Sequence, residues 1–357
     1  MYPFIMIHTL SERGINNINR GEDGRPKTAV IGTTLRNIAS SQNCKFILKE
    51  ELKRRYDLEI GEQTPMIGRY VSDKLVAGGV ELKKAEEHAS AVIGTFVDLK
   101  KREKVVEKEK ENKGKRKKEK DPLKTEIIKI QKTEMDHINS LIEKIIDGYI
   151  PNKNDYHFLK KNTAIDIAMT GRMIAKKPEY NVQASLSVNF AFSVNDITNN
   201  QQDYFTATDS LKLEGSKGSG HLNYFFYSTG VFYGLYIIDT RLLIENLNGN
   251  KELAQKTIRQ IIDVLATSSP SANKNRCADG QTWPSYIMIE NAEITPRSLC
   301  SAFQVPVKGP NITENAIEAL EERKACFDAC YGKIESIKMN TLKREGNLKK
   351  LLDYIQL

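Results

Sequence analysis

The fold is decided by residues 185–239, whose sequence is SLSVNFAFSVNDITNNQQDYFTATDSLKLEGSKGSGHLNYFFYSTGVFYGLYIID. Apolar and polar side chains alternate over residues 186–195, and this period of two predicts a half-buried strand. Residues 224–238 are mostly aromatic or β-branched, which favours a central strand covered on both faces. Residues 196–221 between them are too polar to bury a core of their own. The pattern therefore predicts a long hairpin that projects from a sheet.

One apolar island interrupts the polar arm, at Tyr204 and Phe205. Exposed apolar groups of this kind usually meet a partner. We therefore expect this arm to contact either another protein chain or a nucleic acid.

The rest of the chain is a mixture of predicted strands and helices. Further strand-like segments are expected at residues 4–10, 29–38, 163–173 and 285–290. Helices are expected at residues 40–56, within 64–100, and at 125–146, 240–248, 251–267, 297–303, 313–338 and 347–356. This order indicates an α+β fold of βαββαβ type, with a ferredoxin-like or RRM-like core interrupted by insertions. The largest insertion, residues 58–162, is predicted to be a helical subdomain.

Charge is concentrated in one segment of the 357-residue chain. The formal net charge is +8, and residues 100–120 alone contribute twelve Lys or Arg and five Glu. Such a segment is either a solvated loop or a surface that attracts nucleic acid.

No apolar run approaches the roughly 20 residues of a membrane span. The start lacks the features of a secretory signal, and five cysteines at no familiar spacing favour a reduced, cytoplasmic protein. We expect no cofactor and no metal.

The start of the helix predicted at residues 40–56 offers polar and basic groups. Ser40 or Ser41 is a suitable N-cap, and Gln42 and Lys45 follow it. A helix N-terminus presents unpaired N–H groups and a partial positive charge, which suits a phosphate. An ordinary capped helix has the same pattern, so both interpretations stay open from these residues alone.

Several motifs resemble one known family, the CasC backbone subunit of the type I-E CRISPR surveillance complex (Cascade). The resemblance is carried by residues 163–173 (TAIDIAMTGRM), 203–211 (DYFTATDSL), 220–222 (GHL), 228–233 (STGVFY), and Ser40-Ser41-Gln42 with Lys45. It implies a palm (1–57, 163–195 and 224–357, the last with C-terminal helices), helical fingers (58–162) and a hairpin thumb (196–223). It also implies a non-catalytic subunit that lies head to tail with copies of itself along one crRNA and presents the guide to target DNA. Every sixth nucleotide would be flipped out, and other Cascade subunits would be partners, without a membrane.

The resemblance also implies roles for individual residues. The RNA backbone would be held by Arg20, Lys27, Ser40, Gln42, Lys45 and Lys49. The base wedge would comprise Arg172, Met173, Tyr204, Phe205 and Thr208, although a core position explains Met173 equally well. The Lys-rich segment has no counterpart in the family, and we hypothesise that it captures DNA through Lys100, Lys101, Lys115, Arg116, Lys117 and Lys118.

Two other function classes are compatible with the sequence. Related backbone subunits of type III complexes cleave RNA with a loop aspartate, and Asp23 occupies the first loop, although a single loop aspartate is usually a turn residue. The chain could also be a free-standing RRM-like RNA-binding protein. A long arm without its own core argues against that second alternative.

Overall fold

The computed structural model describes residues 2–97, 121–174, 176–197, 201–206, 221–268, 275, 277, 278 and 282–357. Within these residues, no helix is both long enough and apolar enough to cross a membrane. The chain divides into two compact units. The sheet unit comprises Met1–Tyr56, Leu186–Thr240 and Glu252–Leu357, and the helical unit comprises Asp57–Ser185 and Arg241–Lys251.

Twelve strands are described, numbered here in chain order through both units. They are β1 (Phe4–Asn16), β2 (Thr28–Ile31), β3 (Thr34–Ala39), β4 (Glu62–Thr64), β5 (Ile128–Ile130), β6 (Leu186–Val188), β7 (Ala191–Ser193), β8 (Gln201–Thr206), β9 (His221–Phe226), β10 (Ser228–Asp239), β11 (Tyr286–Ala292) and β12 (Glu335–Asn340).

The α-helices are α1 (Ser41–Arg55), α2 (Ile67–Ala77), α3 (Leu82–Phe96), α4 (Lys132–Ile146), α5 (Ile165–Thr170), α6 (Thr240–Asn246), α7 (Lys251–Thr267), α8 (Ile312–Tyr331) and α9 (Leu348–Asp353). Short 3-10 turns lie at Lys153–Tyr156, Pro178–Tyr180 and Cys300–Phe303.

An antiparallel sheet dominates the sheet unit. Among the described residues its order is β12-β11-β1-β10-β7-β3-β2, and β6 also pairs with β10. The long strand β1 is central, since Ile7 lies opposite Tyr236 of β10 and Ile289 of β11. Helix α8 packs Ala316, Ile317 and Leu320 into the same core as the sheet. The predicted mixture of helices and strands is therefore confirmed as a mixed α/β fold with an antiparallel sheet.

The segment predicted as one strand over residues 224–238 is two strands. Strand β9 ends at Phe226 and pairs with β8, whereas β10 begins at Ser228 and joins the large sheet. Asn16 holds the break, because its side-chain amide donates to the Ser228 carbonyl (2.9 Å) and its side-chain oxygen accepts from the Ser228 hydroxyl (2.8 Å). The boundary is set by the different pairing partners of β9 and β10, which the alternation of apolar and polar residues within the segment does not reveal.

The strand predicted over residues 186–195 is also interrupted, between β6 and β7. The Asn189 N–H donates to the Leu235 carbonyl (3.0 Å), and the Asn189 side chain accepts from the Phe190 N–H (2.9 Å). A short polar side chain that bonds its own neighbour competes with the sheet ladder here.

The helical unit has its own apolar core. Helices α2, α3 and α4 bury Ile67, Val71, Leu75, Ala85, Ala89, Val92, Ile93, Ile138, Leu141, Ile142 and Ile145 in it. The 3.6-residue spacing of these side chains explains why the helices could be predicted. A short antiparallel pair, β4 and β5, accompanies them.

Other predictions of local structure are also wrong. Residues 163–173 contain the helix α5 and not a strand, and every side chain from Ile165 to Met169 in it is buried. A segment that is buried on all sides has no period that separates helix from strand. The long helix predicted to residue 338 ends at Tyr331, because Gly332 (φ +98°) reverses the chain and β12 follows as an edge strand.

Candidate nucleic-acid interface

Helix α1 begins as its sequence predicts, with a capped N-terminus. The Ser40 hydroxyl accepts from the Asn43 N–H (3.3 Å), and the Ser40 carbonyl accepts from the Cys44 N–H (3.0 Å). The first turn carries no acidic residue, whereas the last turn carries three basic ones. The partial positive charge of the N-terminus is therefore not neutralised by a carboxylate of the first turn.

A basic loop is tied to this helix start by three hydrogen bonds. The Asn19 side-chain oxygen accepts from the Ser40 N–H (2.9 Å), and the Asn19 carbonyl accepts from the Lys27 N–H (2.8 Å). The Lys27 carbonyl in turn accepts from the Ile38 N–H (2.9 Å). These bonds bring Arg20 and Lys27 beside the N-cap, although about twenty residues of sequence separate Arg20 from Ser40.

We call Arg20, Lys27, Ser40, Gln42, Lys45 and Lys49 together the phosphate seat. Arg20, Lys27 and Gln42 are exposed, and Lys45 and Lys49 are half-buried. Within the described part of the chain, Arg20, Lys27 and Lys45 form no ion pair. Cations without a carboxylate partner, next to free helix N–H groups, attract an anion such as a phosphate.

The same loop reaches the base of the β8–β9 hairpin. The Asn17 side-chain amide donates to the Phe226 carbonyl (2.8 Å) and to the Gly24 carbonyl (3.0 Å). The Arg25 guanidinium lies 4.8 Å from the centroid of the Phe226 ring. The loop therefore connects the helix start to the arm that carries the predicted base wedge.

Sequence reasoning missed three residues of this surface. Asn19 fastens the loop, Arg25 stacks on Phe226, and Phe46 is 63% exposed on α1 beside Lys45. An aromatic residue next to a lysine, outside the apolar face of its helix, was the available signal for Phe46. Nothing local distinguished Asn19 from any other loop asparagine.

Asp23 is part of a turn inside the basic loop. Its carboxylate accepts from the Arg25 N–H (3.1 Å), and its side chain is well exposed. An aspartate that bonds the backbone two residues ahead is a common turn device.

A mainly apolar cavity of about 60 Å³ lies behind the first turns of α1. Cys44 and Leu48 line it from the helix, and Arg13 and Tyr236 line it from the sheet. Burial lowers the pKa of Arg13 to about 10, and burial raises the pKa of the Cys44 thiol. Arg13 stays charged at neutral pH with that pKa, and its guanidinium lies 5.8 Å from the centroid of the Phe232 ring. Arg13 thus adds a positive charge behind the phosphate seat.

The helical unit presents Met173 to solvent and buries its neighbours. Met173 is 83% exposed, whereas Arg172 is 5% and Ile174 is 2% exposed. The alternative of a core methionine is therefore wrong. Arg172 donates to both carboxylate oxygens of the buried Glu134, at 3.0 and 2.8 Å. A guanidinium in such a buried pair is not available to a base, so we assign Arg172 a structural role.

The structure covers the remaining predicted residues in part. Tyr204 and Phe205 lie in β8, opposite Asn223 and Leu222 of β9. Thr208 lies outside the described residues, and so do the basic positions predicted for DNA: Lys100, Lys101, Lys115, Arg116, Lys117 and Lys118.

Comparison with known proteins decides the family. The family model described as CT1975-like protein matches residues 5–354. The chain belongs to the CT1975-like family. This membership confirms the recognition, made from the motifs above, of the Cascade backbone subunit. No curated protein matches the chain.

The fold of this CT1975-like protein is similar to chains of two solved assemblies. One is a "CRISPR RNA-guided surveillance complex, pre-nicking", with a TM-score of 0.80, 21% identity and coverage of 98% of both chains. The other is a "CRISPR RNA-guided surveillance complex", with a TM-score of 0.67, 18% identity and coverage of 97% of this chain and 93% of that one. At these identities the likeness establishes the fold.

Proposed function

We propose that this protein is a non-catalytic backbone subunit of a type I CRISPR effector complex and binds the guide RNA through its phosphates. The observation that carries the proposal is the phosphate seat, where Arg20, Lys27 and Lys45, without an ion-pair partner among the described residues, accompany the capped N-terminus of α1. Family membership and the likeness to chains of RNA-guided surveillance complexes support it.

Phosphate contacts of this kind hold any RNA sequence equally well. Lysine, arginine and helix N–H groups recognise the charge and shape of the backbone, which carries no sequence information. Base pairing between guide and target then supplies the specificity. A subunit that grips only the backbone leaves base edges free for the target.

In this proposal, copies of the chain lie head to tail along one crRNA, in company with other Cascade subunits in the cytoplasm. Residues 1–57, 163–195 and 224–357 act as the palm, residues 58–162 as the fingers, and residues 196–223 as the thumb. The thumb crosses the guide and, with Met173, Tyr204 and Phe205, wedges out every sixth nucleotide. The exposure of Met173 supports this role, because an adaptable thioether can fill the gap left in a base stack.

Target DNA binds as the strand complementary to the guide. The Lys-rich segment of residues 100–120 attracts the incoming DNA duplex or the displaced strand through charge, which suits non-specific capture better than a fixed site. The role of each subunit is to position nucleic acid, so no side chain of this chain is assigned a catalytic function.

Copurification tests the proposal. The full chain is coexpressed with a CRISPR array and companion subunits, and the bound nucleic acid is extracted and sized. A single-length guide RNA is expected. A mixed RNA population from the assembled protein would instead identify a free-standing RNA-binding module.

The endoribonuclease alternative has its own test. Asp23→Ala is expected to leave guide retention and target binding unchanged. If the purified chain cleaves RNA in the presence of a divalent metal and Asp23→Ala abolishes the cleavage, the protein is an endoribonuclease and the proposal of a non-catalytic subunit is wrong.

A further inference from the structure

The turn that exposes Met173 is fastened on both sides. Arg172 forms a two-way backbone bridge with Val182, with N–H to carbonyl distances of 2.8 and 2.9 Å. On the other side, the Ile174 N–H donates to the side-chain oxygen of Asn181 (2.5 Å). The exposed methionine therefore stands between two anchored residues.

Glu134 anchors the turn from a different element, the first turn of α4. Besides the two bonds from Arg172, its carboxylate accepts from the Gln131 N–H (3.1 Å), the Gln131 side-chain amide (3.2 Å) and the Lys160 N–H (3.1 Å). The Glu134 side chain is 0% exposed and that of Arg172 is 1% exposed. A buried carboxylate that accepts five hydrogen bonds has little freedom to move, and one guanidinium nitrogen of Arg172 donates to both of its oxygens. The other two guanidinium nitrogens donate to the carbonyls of Tyr180 (3.4 and 3.3 Å) and Lys160 (3.4 Å), which fixes the guanidinium in one orientation.

A third fastening precedes the methionine. The Lys129 ammonium on β5 donates to the carbonyls of Thr170 (3.2 Å) and Gly171 (2.6 Å). Gly171 has a φ of +73°, and a Cβ there would lie 2.9 Å from the Val182 carbonyl oxygen. Elements from three parts of the helical unit thus converge on one short turn, from which the side chain of Met173 points to solvent.

Folding of the helical unit does not require an exposed methionine. A buried ion pair adds little net stability, because the cost of desolvating both charges offsets much of their attraction. Such pairs are best attested where they specify a unique structural arrangement. Here the arrangement that the pair specifies is the position of the Met173 backbone.

We propose that Glu134, acting through Arg172, is a positioning residue for the base wedge at Met173. This inference rests on the proposed function, since it presumes that Met173 meets the guide. Glu134 itself touches no nucleotide. It holds the turn so that the methionine enters the base stack without first losing conformational freedom.

The test compares variants of the assembled complex on a guide that carries 2-aminopurine at a flipped position. An unstacked 2-aminopurine fluoresces more strongly than a stacked one, so the signal measures base flipping. Glu134→Gln keeps the size of the side chain but removes its charge. Relative to the wild type, we expect Glu134→Gln to lower the 2-aminopurine fluorescence by at least half as much as Met173→Ala does, with guide retention unchanged. The double variant should lower the fluorescence no further than Met173→Ala alone.

Ile138→Val is the matched control, because Ile138 is a fully buried residue one turn further along the same helix, and its aliphatic side chain takes no part in the hydrogen bonds that hold the turn. It is expected to lower thermal stability while leaving the fluorescence at the wild-type level. Should Glu134→Gln fail to fold, Arg172→Lys provides the same test, since lysine keeps the charge but cannot also donate to the Tyr180 and Lys160 carbonyls as the guanidinium does.

Wild-type fluorescence in Glu134→Gln or Arg172→Lys, together with a loss in Met173→Ala, would overturn the positioning role alone. No change in Met173→Ala would instead overturn the wedge, and with it that part of the proposed function. An equal loss in Ile138→Val would show that the effect reports stability and would also overturn the positioning role.

Discussion

The side-chain oxygen of Asn19 accepts a 2.9 Å hydrogen bond from the backbone N–H of Ser40, the N-cap residue of α1. This bond closes a loop of some twenty residues and places the basic segment around Arg20 beside a helix N-terminus. The candidate RNA surface depends on it, because Arg20 and Ser40 are brought together by tertiary structure.

Substitution of Asn19 separates the structural role of that bond from the charge of the site. Asn19→Ala leaves the buried Ser40 N–H unpaired, which we expect to cost about 1–3 kcal/mol of unfolding free energy. Asn19→Asp keeps an acceptor for this N–H but adds a negative charge beside the phosphate seat. It should therefore retain most of the stability and lose RNA affinity. Urea unfolding and filter binding measure the two effects, and equal RNA affinity in Asn19→Asp and wild type would contradict the location of the seat.

Charge reversal of Arg20 and Lys45 should weaken guide binding to the same extent for every guide sequence. Each side chain that ceases to neutralise a phosphate of a single strand lowers the log–log salt slope by about 0.7, so the double reversal should flatten it by about 1.4. Arg54→Glu, at an exposed position of the last turn of α1, is the control and should leave the slope unchanged. A weakening confined to particular guide sequences would be incompatible with a backbone contact.

Removal of both aromatic residues from β8, by Tyr204→Ala with Phe205→Ala, should weaken capture of target DNA at least tenfold. Stacking on a base is worth about 1–3 kcal/mol, and about 1.4 kcal/mol corresponds to a factor of ten. Guide RNA held through its phosphates should remain bound. Target mismatches at every sixth position should be tolerated by the wild type, and a penalty there equal to that at neighbouring positions would exclude a flipping wedge.

Gly171→Ala should destabilise the helical unit more than Gly148→Ala does. Both glycines have positive φ angles, +73° and +93°, so each substitution strains the backbone. Gly171 combines its φ with a ψ of 164°, a region that essentially only glycine adopts. Only at Gly171 does an added Cβ also meet backbone, whereas at Gly148 nothing lies within 4 Å. The difference between the two variants in denaturant unfolding measures the clash together with the strain of the Gly171 backbone. Equal losses of stability would mean that the turn before Met173 can relax.

Acid should weaken the sheet unit through Glu290. Burial favours the neutral carboxyl, but hydrogen bonds from His8 and Arg297 outweigh burial and lower the pKa of Glu290 below its ordinary value of 4.5. A lowered folded-state pKa contributes stability above the unfolded pKa, and that stability is lost as the pH falls through the folded value. The unfolding free energy should therefore decline below pH 4.5. Glu290→Gln should be less stable at neutral pH and show a shallower decline, and an unchanged pH profile would argue against the pairing.

The sequence alone determined the features that depend on neighbouring residues. Helix α7 has the predicted bounds, Lys251–Thr267, because its apolar residues recur with a helical period. Helix α1 begins after Ser40, because a serine side chain can cap the N–H groups that follow it. The family was recognised in the same way, from short motifs whose residues are adjacent in the chain.

Other features were decided by tertiary structure alone. They are the features where the apolar residues show no periodicity, or where the sequence allows two structures equally well. The segment Ile165–Met169 is buried throughout, and even Asp166 within it is buried and accepts from the Gly61 N–H (2.8 Å), so no alternation of buried and exposed positions marks it as a helix. Arg172 and Met173 are adjacent, yet one is buried against Glu134 and the other is exposed. They differ because the buried carboxylate of Glu134, on a helix distant in sequence, binds the Arg172 guanidinium. The sequence around Arg172 gives no sign of a partner so far along the chain.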